Sequence, residues 1–211
     1  AQNNLLKQIE DLHFASGKFA AICYREDIEM ALRTPEFGGF QMLDLQDFPG
    51  QGTALVGLLD AFMESKGIIE PFEFSQFCNR VVPLALFDKY CWNNDEVFLS
   101  TIKISNYAEK TVGKQTINAY LSNDSGDTIA KQQWYTQLQN GKLNHIGEFE
   151  VSLKSVKKST NLTLSISIEG TPYQNKYKIW VYPKRNILRK QNITICRKID
   201  KQMFNLLKEG R

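Results

Sequence analysis

Three polar side chains follow a short apolar run in the stretch GGFQMLDLQDFPGQG, residues 38 to 52. Residues 39 to 46 are predicted to form a buried strand, and the Pro-Gly sequence after it predicts a turn. Asp44, Gln46 and Asp47 therefore gather at the C-terminal end of that strand. Carboxylates and an amide at such a position can bind polar ligand groups, or they can cap the following turn. Both roles stay open for Asp47.

Other residue types that could carry chemistry are sparse. The two histidines, His13 and His145, have no Cys, Ser or Asp neighbour at a spacing typical of a catalytic or metal site. The absence of a CxxC pair argues against zinc and favours reduced structural thiols at the four cysteines, Cys23, Cys78, Cys91 and Cys196. The sequence GQG at residues 50 to 52 is too short for a phosphate-binding loop. Neither a metal site nor a cofactor is predicted.

Composition and charge are those of an ordinary globular protein. The 211 residues carry a net charge of only +3, with scattered basic residues, so neither a nucleic acid nor a membrane surface is predicted as a partner. No apolar run reaches the length of a membrane span. The first residues, AQNNLLKQIEDL, lack the pattern of a signal peptide. The compartment stays open, with a bacterial periplasmic or secreted location as one option.

Helical periodicity dominates the first part of the chain. Residues 2 to 33 are predicted to form two amphipathic helices separated at Ser16 and Gly17. A further helix is predicted at residues 53 to 66, where apolar residues recur at helical spacing. Pro71 is predicted to open a short helix, since proline is favoured at the first helical position. Helices on both sides of one strand indicate a parallel α/β element.

A two-residue period begins near Asp95 and continues for most of the next ninety residues. It is clearest at residues 147 to 154 and 161 to 169, where apolar side chains occupy every second position. Strands are predicted at residues 96 to 106, 115 to 122, 128 to 137, 147 to 154, 161 to 169 and 175 to 182. Short strands separated by turns predict an immunoglobulin-like β-sandwich.

The last predicted strand has two bulky aromatic residues on its outer face. Tyr177, Ile179 and Val181 alternate with Lys178, Trp180 and Tyr182. The outer rings have three interpretations: single surface aromatics, burial against residues 1 to 90 or another chain, or a platform on which carbohydrate stacks.

A basic segment and a βα pattern follow Pro183. The segment KRNILRKQ is predicted to be a solvated connector. Residues 193 to 196 are predicted to form a strand, and residues 201 to 209 a helix that Gly210 stops. A parallel strand should follow such a helix, so an incomplete βα unit is predicted.

The stretch LRTPEFGGFQMLDLQDFPGQGTALVG, residues 32 to 57, resembles the last strand of the (β/α)8 barrel in glycoside hydrolase family 2. Within that family it is similar to β-galactosidase-like enzymes of gut-type bacteria. The resemblance lies in a glycine, an apolar run and a closing Asp-Phe, here Gly39 through Asp47 and Phe48; family members often have a sugar-stacking Trp where this chain has Leu43. The resemblance implies a multi-part α+β fragment with a partial (β/α)8-barrel end at residues 1–90, an immunoglobulin-like β-sandwich at 91–184, and a linker with an incomplete βα unit at 185–211.

The resemblance also implies a chemistry. Retaining glycosidases use two carboxyl groups roughly 5 Å apart. In family 2 both catalytic glutamates precede the last barrel strand, so no catalytic residue is assigned here and the chain alone is expected to be inactive. Asp47, Gln46 and Asp44 would contact the carbohydrate substrate, a β-galactoside in an oligo- or polysaccharide, within an intact enzyme that can be a homo-oligomer. The alternative is a non-catalytic carbohydrate-binding or interaction module built on the sandwich.

Overall fold

The computed structural model describes residues 6–51, 55–109, 113–184, 196 and 198–210. The fold is α+β, with most of the regular backbone in two β-sheets and few helices. The helices are α1 (Ile9–Leu32), α2 (Pro71–Phe77) and α3 (Lys201–Lys208). The strands are β1 (Val81–Leu86), β2 (Cys91–Asn93), β3 (Val97–Asn106), β4 (Gly113–Asn123), β5 (Thr128–Leu138), β6 (Lys142–Ser152), β7 (Thr160–Ile168) and β8 (Gln174–Tyr182).

The strands form two sheets that enclose one core. The first sheet has the order β1-β3-β6, and the second has the order β2-β8-β7-β4-β5. Neighbouring strands are antiparallel except for β2, which is parallel to β8. The inward side chains of both sheets form a continuous apolar cluster that includes Phe98 and Phe149. Among the described residues no sheet closes into a barrel.

All six predicted strands are confirmed, with shifted ends. Strand β8 shows why the two-residue period in the sequence predicted them. Asn175, Tyr177, Ile179 and Val181 are buried in turn, and the residues after each of them are exposed. Burying one apolar side chain contributes roughly 1.5–3 kcal/mol. A shift of one residue would turn every inward side chain outward, so the alternation determines which face of the strand meets the core.

Strands β1 and β2 were not predicted from the sequence. Residues 81 to 85 of β1 are all buried, because the core covers one face and α2 contacts the strand as well. A strand buried on both faces lacks the alternation by which strands are recognised. Pro83 is tolerated since β1 lies at the edge of its sheet. These two strands bring residues 81 to 93 into the sandwich.

Helix α1 is one continuous helix, and the predicted division into two helices is wrong. Gly17 lies inside it and lets the helix approach the segment around Ile68 closely. A Cβ atom at Gly17 would lie only 2.5 Å from Ile68 Cγ2. This glycine therefore serves a packing contact and does not end a helix. Helix α2 begins at Pro71, as predicted.

The prediction of a strand at residues 39 to 46 is also wrong. The only regular pairing of this segment among the described residues is a parallel bridge between Gln46 and Leu59. Phe40 and Leu43, predicted to be buried, are exposed. A strand needs neighbours for its backbone N–H and C=O groups, and this segment has one short contact instead.

The helix predicted at residues 53 to 66 is absent from its described part, residues 55 to 66, which is irregular backbone with one short turn and isolated bridges at Leu59 and Ser65. Asp60 Oδ1 accepts hydrogen bonds from the backbone N–H groups of Phe62 (2.8 Å) and Glu64 (2.9 Å). Met63 has a positive φ of 66°. Short polar side chains that bond nearby backbone offer an alternative to the helix, and here that alternative is realised.

Helix α3 confirms the predicted C-terminal helix. Asp200 caps it, because its carboxylate accepts from Met203 N at 2.9 Å. The predicted strand at residues 193 to 196 lies outside the described residues except for Cys196, and the basic connector lies outside them except for Lys184. None of the described helices is long and apolar enough to cross a membrane.

The region before the sandwich has a small core and much exposed apolar surface. Its buried cluster consists of Ala21, Leu58 and Ile68. The exposed large apolar side chains are Leu6, Ile9, Leu12, Phe14, Phe19, Ile22, Met30, Phe37, Phe40, Leu43, Leu45, Phe48, Leu55, Val56, Phe62, Met63 and Phe72. The apolar face predicted for the start of α1 is thus uncovered among the described residues.

Candidate functional site

Asp47 is held in place by two hydrogen bonds to the loop that follows it. Its Oδ1 accepts from Lys66 Nζ at 2.6 Å and from Gly57 N at 2.9 Å, and Lys66 also donates to the Gly57 carbonyl at 2.9 Å. The Lys66 bond, with the Gly57 N–H bond, holds the pKa of Asp47 below its ordinary value, although burial opposes the shift. Asp47 is therefore an ionised anchor for the loop.

Close backbone contact explains why glycine occupies position 57. A Cβ atom there would lie 2.3 Å from the carbonyl carbon of Gln46 and 2.5 Å from Asp47 N. Leu59 N donates to Leu45 O and Asp47 N donates to Leu59 O, both at 3.0 Å. These bonds form the small parallel bridge that fixes the orientation of the predicted site residues.

The other two predicted site residues have different surroundings. Gln46 is exposed and belongs to the bridge with Leu59. Asp44 is half-buried with a positive φ of 59°, and its charge, after burial, contributes to raising the pKa of Tyr24 on α1. Asp47 thus bonds Lys66, whereas the charge of Asp44 acts on Tyr24 of α1. Gln46 is the most accessible of the three to a ligand.

A second polar cluster, which the sequence did not predict, joins α1 to the sandwich. Glu29 is 1% exposed, and its Oε1 accepts from Arg25 Nε at 2.9 Å and from Asn175 Nδ2 at 3.0 Å. Its Oε2 accepts from the Tyr177 hydroxyl at 2.9 Å. Arg25 Nη2 donates to Asn175 Oδ1 at 2.9 Å. We call these four residues the α1–β8 cluster.

The α1–β8 cluster also bonds the backbone of β1, and its burial and charges keep Tyr177 neutral and Arg25 charged. Asn175 Nδ2 also donates to the Pro83 carbonyl at 2.9 Å. Burial, with the charge of Glu29, raises the pKa of Tyr177 well above its ordinary value, so Tyr177 remains a neutral donor. Burial opposes the charge on Arg25, but Glu29 and Tyr177 keep its pKa above the usual value.

Every polar group of the α1–β8 cluster has a partner within it or in the neighbouring backbone. The Glu29 carboxylate is buried and accepts from Arg25, Asn175 and Tyr177, so it is not placed to take a proton from a substrate. The arrangement fastens the helix, as a second contact also does: the Tyr90 hydroxyl donates to Glu26 Oε1. The i,i+4 spacing of Arg25 and Glu29 was the only local signal for it.

An open groove lies on the outer face of the five-stranded sheet. Trp180 and Tyr182 are 39% and 46% exposed, on alternate positions of β8. They line a hollow of about 260 Å³ with Asp124, Ser159, Thr160 and Asn161. An adjoining hollow of about 560 Å³ shares Ser159 and Tyr182 and ends at Lys158. We call the two hollows together the aromatic groove.

The Trp180 side chain, predicted to be buried against residues 1 to 90 in one interpretation, is 39% exposed, and it is the backbone of this residue that bonds Tyr90. Trp180 N donates to Tyr90 O at 2.8 Å, and the strand pairs with β2 at Cys91. The helical region is instead fastened by the α1–β8 cluster on the opposite face of β8. Among the described residues there is no group of three or more His, Cys, Asp or Glu side chains that could hold a metal ion.

A family model described as a domain of unknown function, DUF8488, matches residues 96–183, which is less than half of the chain. The match covers most of the sandwich, and it is not a model of glycoside hydrolase family 2. Comparison with curated proteins gives no match.

Solved structures similar to this chain include glycoside hydrolases at low identity. A β-glucosidase from Listeria innocua in complex with glucose is 14% identical over 48% of this chain and 16% of that chain, with a TM-score of 0.37. Spo0M, a sporulation control protein from Bacillus subtilis, is 11% identical over 51% of this chain and 50% of that one (TM-score 0.33). A Bacteroides fragilis protein described as a β-galactosidase is 8% identical over 47% and 15% (TM-score 0.31). The chain thus covers at most half of each of these proteins, and likeness at this level does not identify a function.

Proposed function

We propose that this chain is part of a retaining glycoside hydrolase of family 2, β-galactosidase-like, and that it is inactive alone. In this proposal the residues before β1, within the predicted range 1–90, belong to the end of a (β/α)8 barrel whose catalytic glutamates lie elsewhere in the intact enzyme. The substrate is a β-galactoside in an oligo- or polysaccharide. The resemblance of residues 32 to 57 supplies the family and the substrate class.

The observation that carries the proposal is the uncovered apolar surface before the sandwich. Soluble monomers rarely expose contiguous apolar patches larger than a few hundred Å². Here the exposed side chains include Phe14 and Phe19 on α1 and Phe40, Leu43 and Phe62 in the following loops, whereas the buried cluster of this region has three members among the described residues. Such surface is expected of barrel elements whose neighbours belong to the rest of the enzyme.

The strand order supports an immunoglobulin-like assignment of the sandwich. With β1, β3 and β6 as strands A, B and E, the first sheet has the order A-B-E. The second sheet then has the order A′-G-F-C-C′, with β2 as a short A′ strand parallel to β8. In immunoglobulin-like sandwiches, strand C′ joins the sheet of strands G, F and C, as β5 joins β4 here.

In this proposal the sandwich supports the barrel end, and the segment around Asp47 contributes to substrate binding. The α1–β8 cluster fixes α1 to the sandwich, so that the loop packed against α1 has a rigid base. Asp47 orients the segment through Lys66, Asp44 lies beside Tyr24, and the exposed amide of Gln46 contacts substrate hydroxyls.

The first test compares the 211-residue chain with the intact enzyme on 4-nitrophenyl β-D-galactoside. We expect turnover by the intact enzyme only, with the β anomer as the first product seen by proton NMR, because a retaining mechanism proceeds through two displacements. A 2-deoxy-2-fluoro-β-galactosyl fluoride should label a glutamate outside residues 1–211. Turnover by the chain alone, labelling within it, or an intact protein without glycosidase activity would overturn the proposal.

The second test concerns the segment around Asp47. Gln46→Ala in the intact enzyme should lower kcat/KM about tenfold or more if the amide contacts substrate, equivalent to about 1.4 kcal/mol of transition-state binding. Glu148→Gln is the control, since this exposed side chain lies on β6, outside the segment around Asp47, and accepts from the Thr101 hydroxyl. Equal kinetics for both variants would remove Gln46 from the site.

A further inference from the structure

The aromatic groove combines two rings with a set of hydrogen-bonding side chains. Trp180 and Tyr182 are two residues apart on β8, so their side chains lie on the same face of the sheet. Asn161 is directly opposite Trp180 in the β7–β8 register and lines the same hollow. Asp124 and Thr160 complete its wall. Ligand sites typically place a few polar groups around an apolar base in this way.

One of these polar groups, the side-chain amide of Asn161, has an oxygen without a hydrogen-bond partner among the described residues. This oxygen, Asn161 Oδ1, is buried. A buried acceptor without a donor is costly, and a native structure rarely retains one without a reason. Rotation of the Asn161 amide would bring this oxygen to the surface of the groove, where a hydroxyl donated by a ligand would supply the missing partner.

The chemistry of the groove selects among ligand classes. Asp124 lines one hollow and Lys158 lines the other, and their opposite charges mean that the groove as a whole favours neither an anion nor a cation. Amide, carboxylate and hydroxyl groups suit a ligand rich in hydroxyls, and aromatic faces suit a flat ligand with apolar faces. The two hollows share Ser159 and Tyr182 as lining residues, so they adjoin each other.

We propose that the aromatic groove binds a neutral oligosaccharide. One sugar ring stacks on Trp180, and a second lies along Tyr182 toward Lys158. Asn161 Oδ1 accepts a hydrogen bond from a hydroxyl of the first ring, and the Asp124 carboxylate accepts one from another hydroxyl. This site is on the sandwich, away from the Asp47 segment, and it does not depend on the hydrolase function proposed above.

The test is a titration of the ¹⁵N-labelled full chain, with β-1,4-galactotriose, cellotriose and maltotriose in separate arms. We expect at least one sugar to shift the indole N–H signal of Trp180 in a saturable manner. Trp180→Ala should weaken that binding about tenfold or more, because aromatic stacking contributes on the order of one factor of ten in affinity. Tyr135→Ala is the control, since Tyr135 is 71% exposed on β5 of the same sheet.

A second variant separates binding from folding. Asn161→Ala removes an acceptor that has no hydrogen-bond partner among the described residues, so it should weaken sugar binding while its Tm stays close to that of Tyr135→Ala. The proposal is overturned if none of the three sugars shifts the Trp180 signal, or if Tyr135→Ala weakens binding as much as Trp180→Ala. It is also overturned if the signal shifts on dilution of the protein and not on addition of sugar, since that would identify the groove as a contact between copies.

Discussion

Replacing Glu29 by glutamine should detach helix α1 from the sandwich while the sandwich stays folded. The Glu29 carboxylate accepts from Arg25, Asn175 and Tyr177, all within 3.0 Å. Glutamine retains the shape, but it offers one acceptor oxygen and places an NH₂ donor among donors. Removing one partner of a buried ion pair costs about 3–5 kcal/mol. Because the Arg25 side chain keeps 21% exposure, we expect the lower end, roughly 3 kcal/mol.

Amide hydrogen exchange measures this loss locally. A free-energy change of roughly 3 kcal/mol corresponds to an increase of somewhat more than a hundredfold in the opening equilibrium of α1. Amides in the last two turns of α1 should therefore exchange faster by that factor, while those of β7 keep their rates. Glu148→Gln, an exposed change on β6, should stay within about 0.5 kcal/mol of the parent.

Two results would refute this reasoning. An increase below tenfold at α1 would mean that Glu29 does not fasten the helix. Equal acceleration in α1 and β7 would mean that the two regions unfold as one cooperative unit, so that α1 is not separately attached.

Three further changes have defined outcomes. Gly57→Ala should cost about 1–3 kcal/mol at the bridge, seen as faster exchange of the Asp47 amide, since the added Cβ would press on rigid backbone 2.3 Å away. The pKa of Asp47 is lower in the fold than its ordinary value of 3.8, so the stabilisation is complete above that pH and is lost as the pH falls through the folded pKa. Protection of the Gly57 amide should fall over that acidic range, and Asp47→Asn should abolish the pH dependence. Leu164→Ala in the core should lower the urea-unfolding free energy by about 2–5 kcal/mol, whereas Leu43→Ala, 76% exposed, should change it by less than about 0.5 kcal/mol.

The sandwich was predictable because the alternation of apolar and polar residues that indicates its strands lies within each strand. In β7 and β8 every second side chain faces the core, so the two-residue period in the sequence reports the fold directly. Strand β1 was missed since both its faces are covered and Pro83 interrupts it. Only its partners, which are distant in sequence, determine that it is a strand.

The segment containing the candidate site was mispredicted for the same physical reason. Apolar runs at residues 39 to 46 and 53 to 66 have strand and helix patterns, but a pattern stabilises an element only where another surface covers it. Among the described residues that surface is missing, and the hydrogen bonds of Asp47 and Asp60 determine the backbone instead. Under the proposed function, the covered form of this segment would exist in the intact enzyme.

The contact between the two regions is polar where an apolar contact would be more usual, and this affects what it can do. Buried ion pairs contribute little net stability compared with apolar residues of the same size. They are directional, however, because Glu29 must meet three donors at once. Rotating α1 by one residue would replace Glu29 with Ile28 or Met30, so that Asn175 and Tyr177 would lose the carboxylate as an acceptor and retain the Pro83 carbonyl. The cluster therefore fixes the rotation of α1 on β8, which an apolar contact of similar area would leave free to slide. In an intact hydrolase that rotation would determine which face of α1 meets the rest of the barrel.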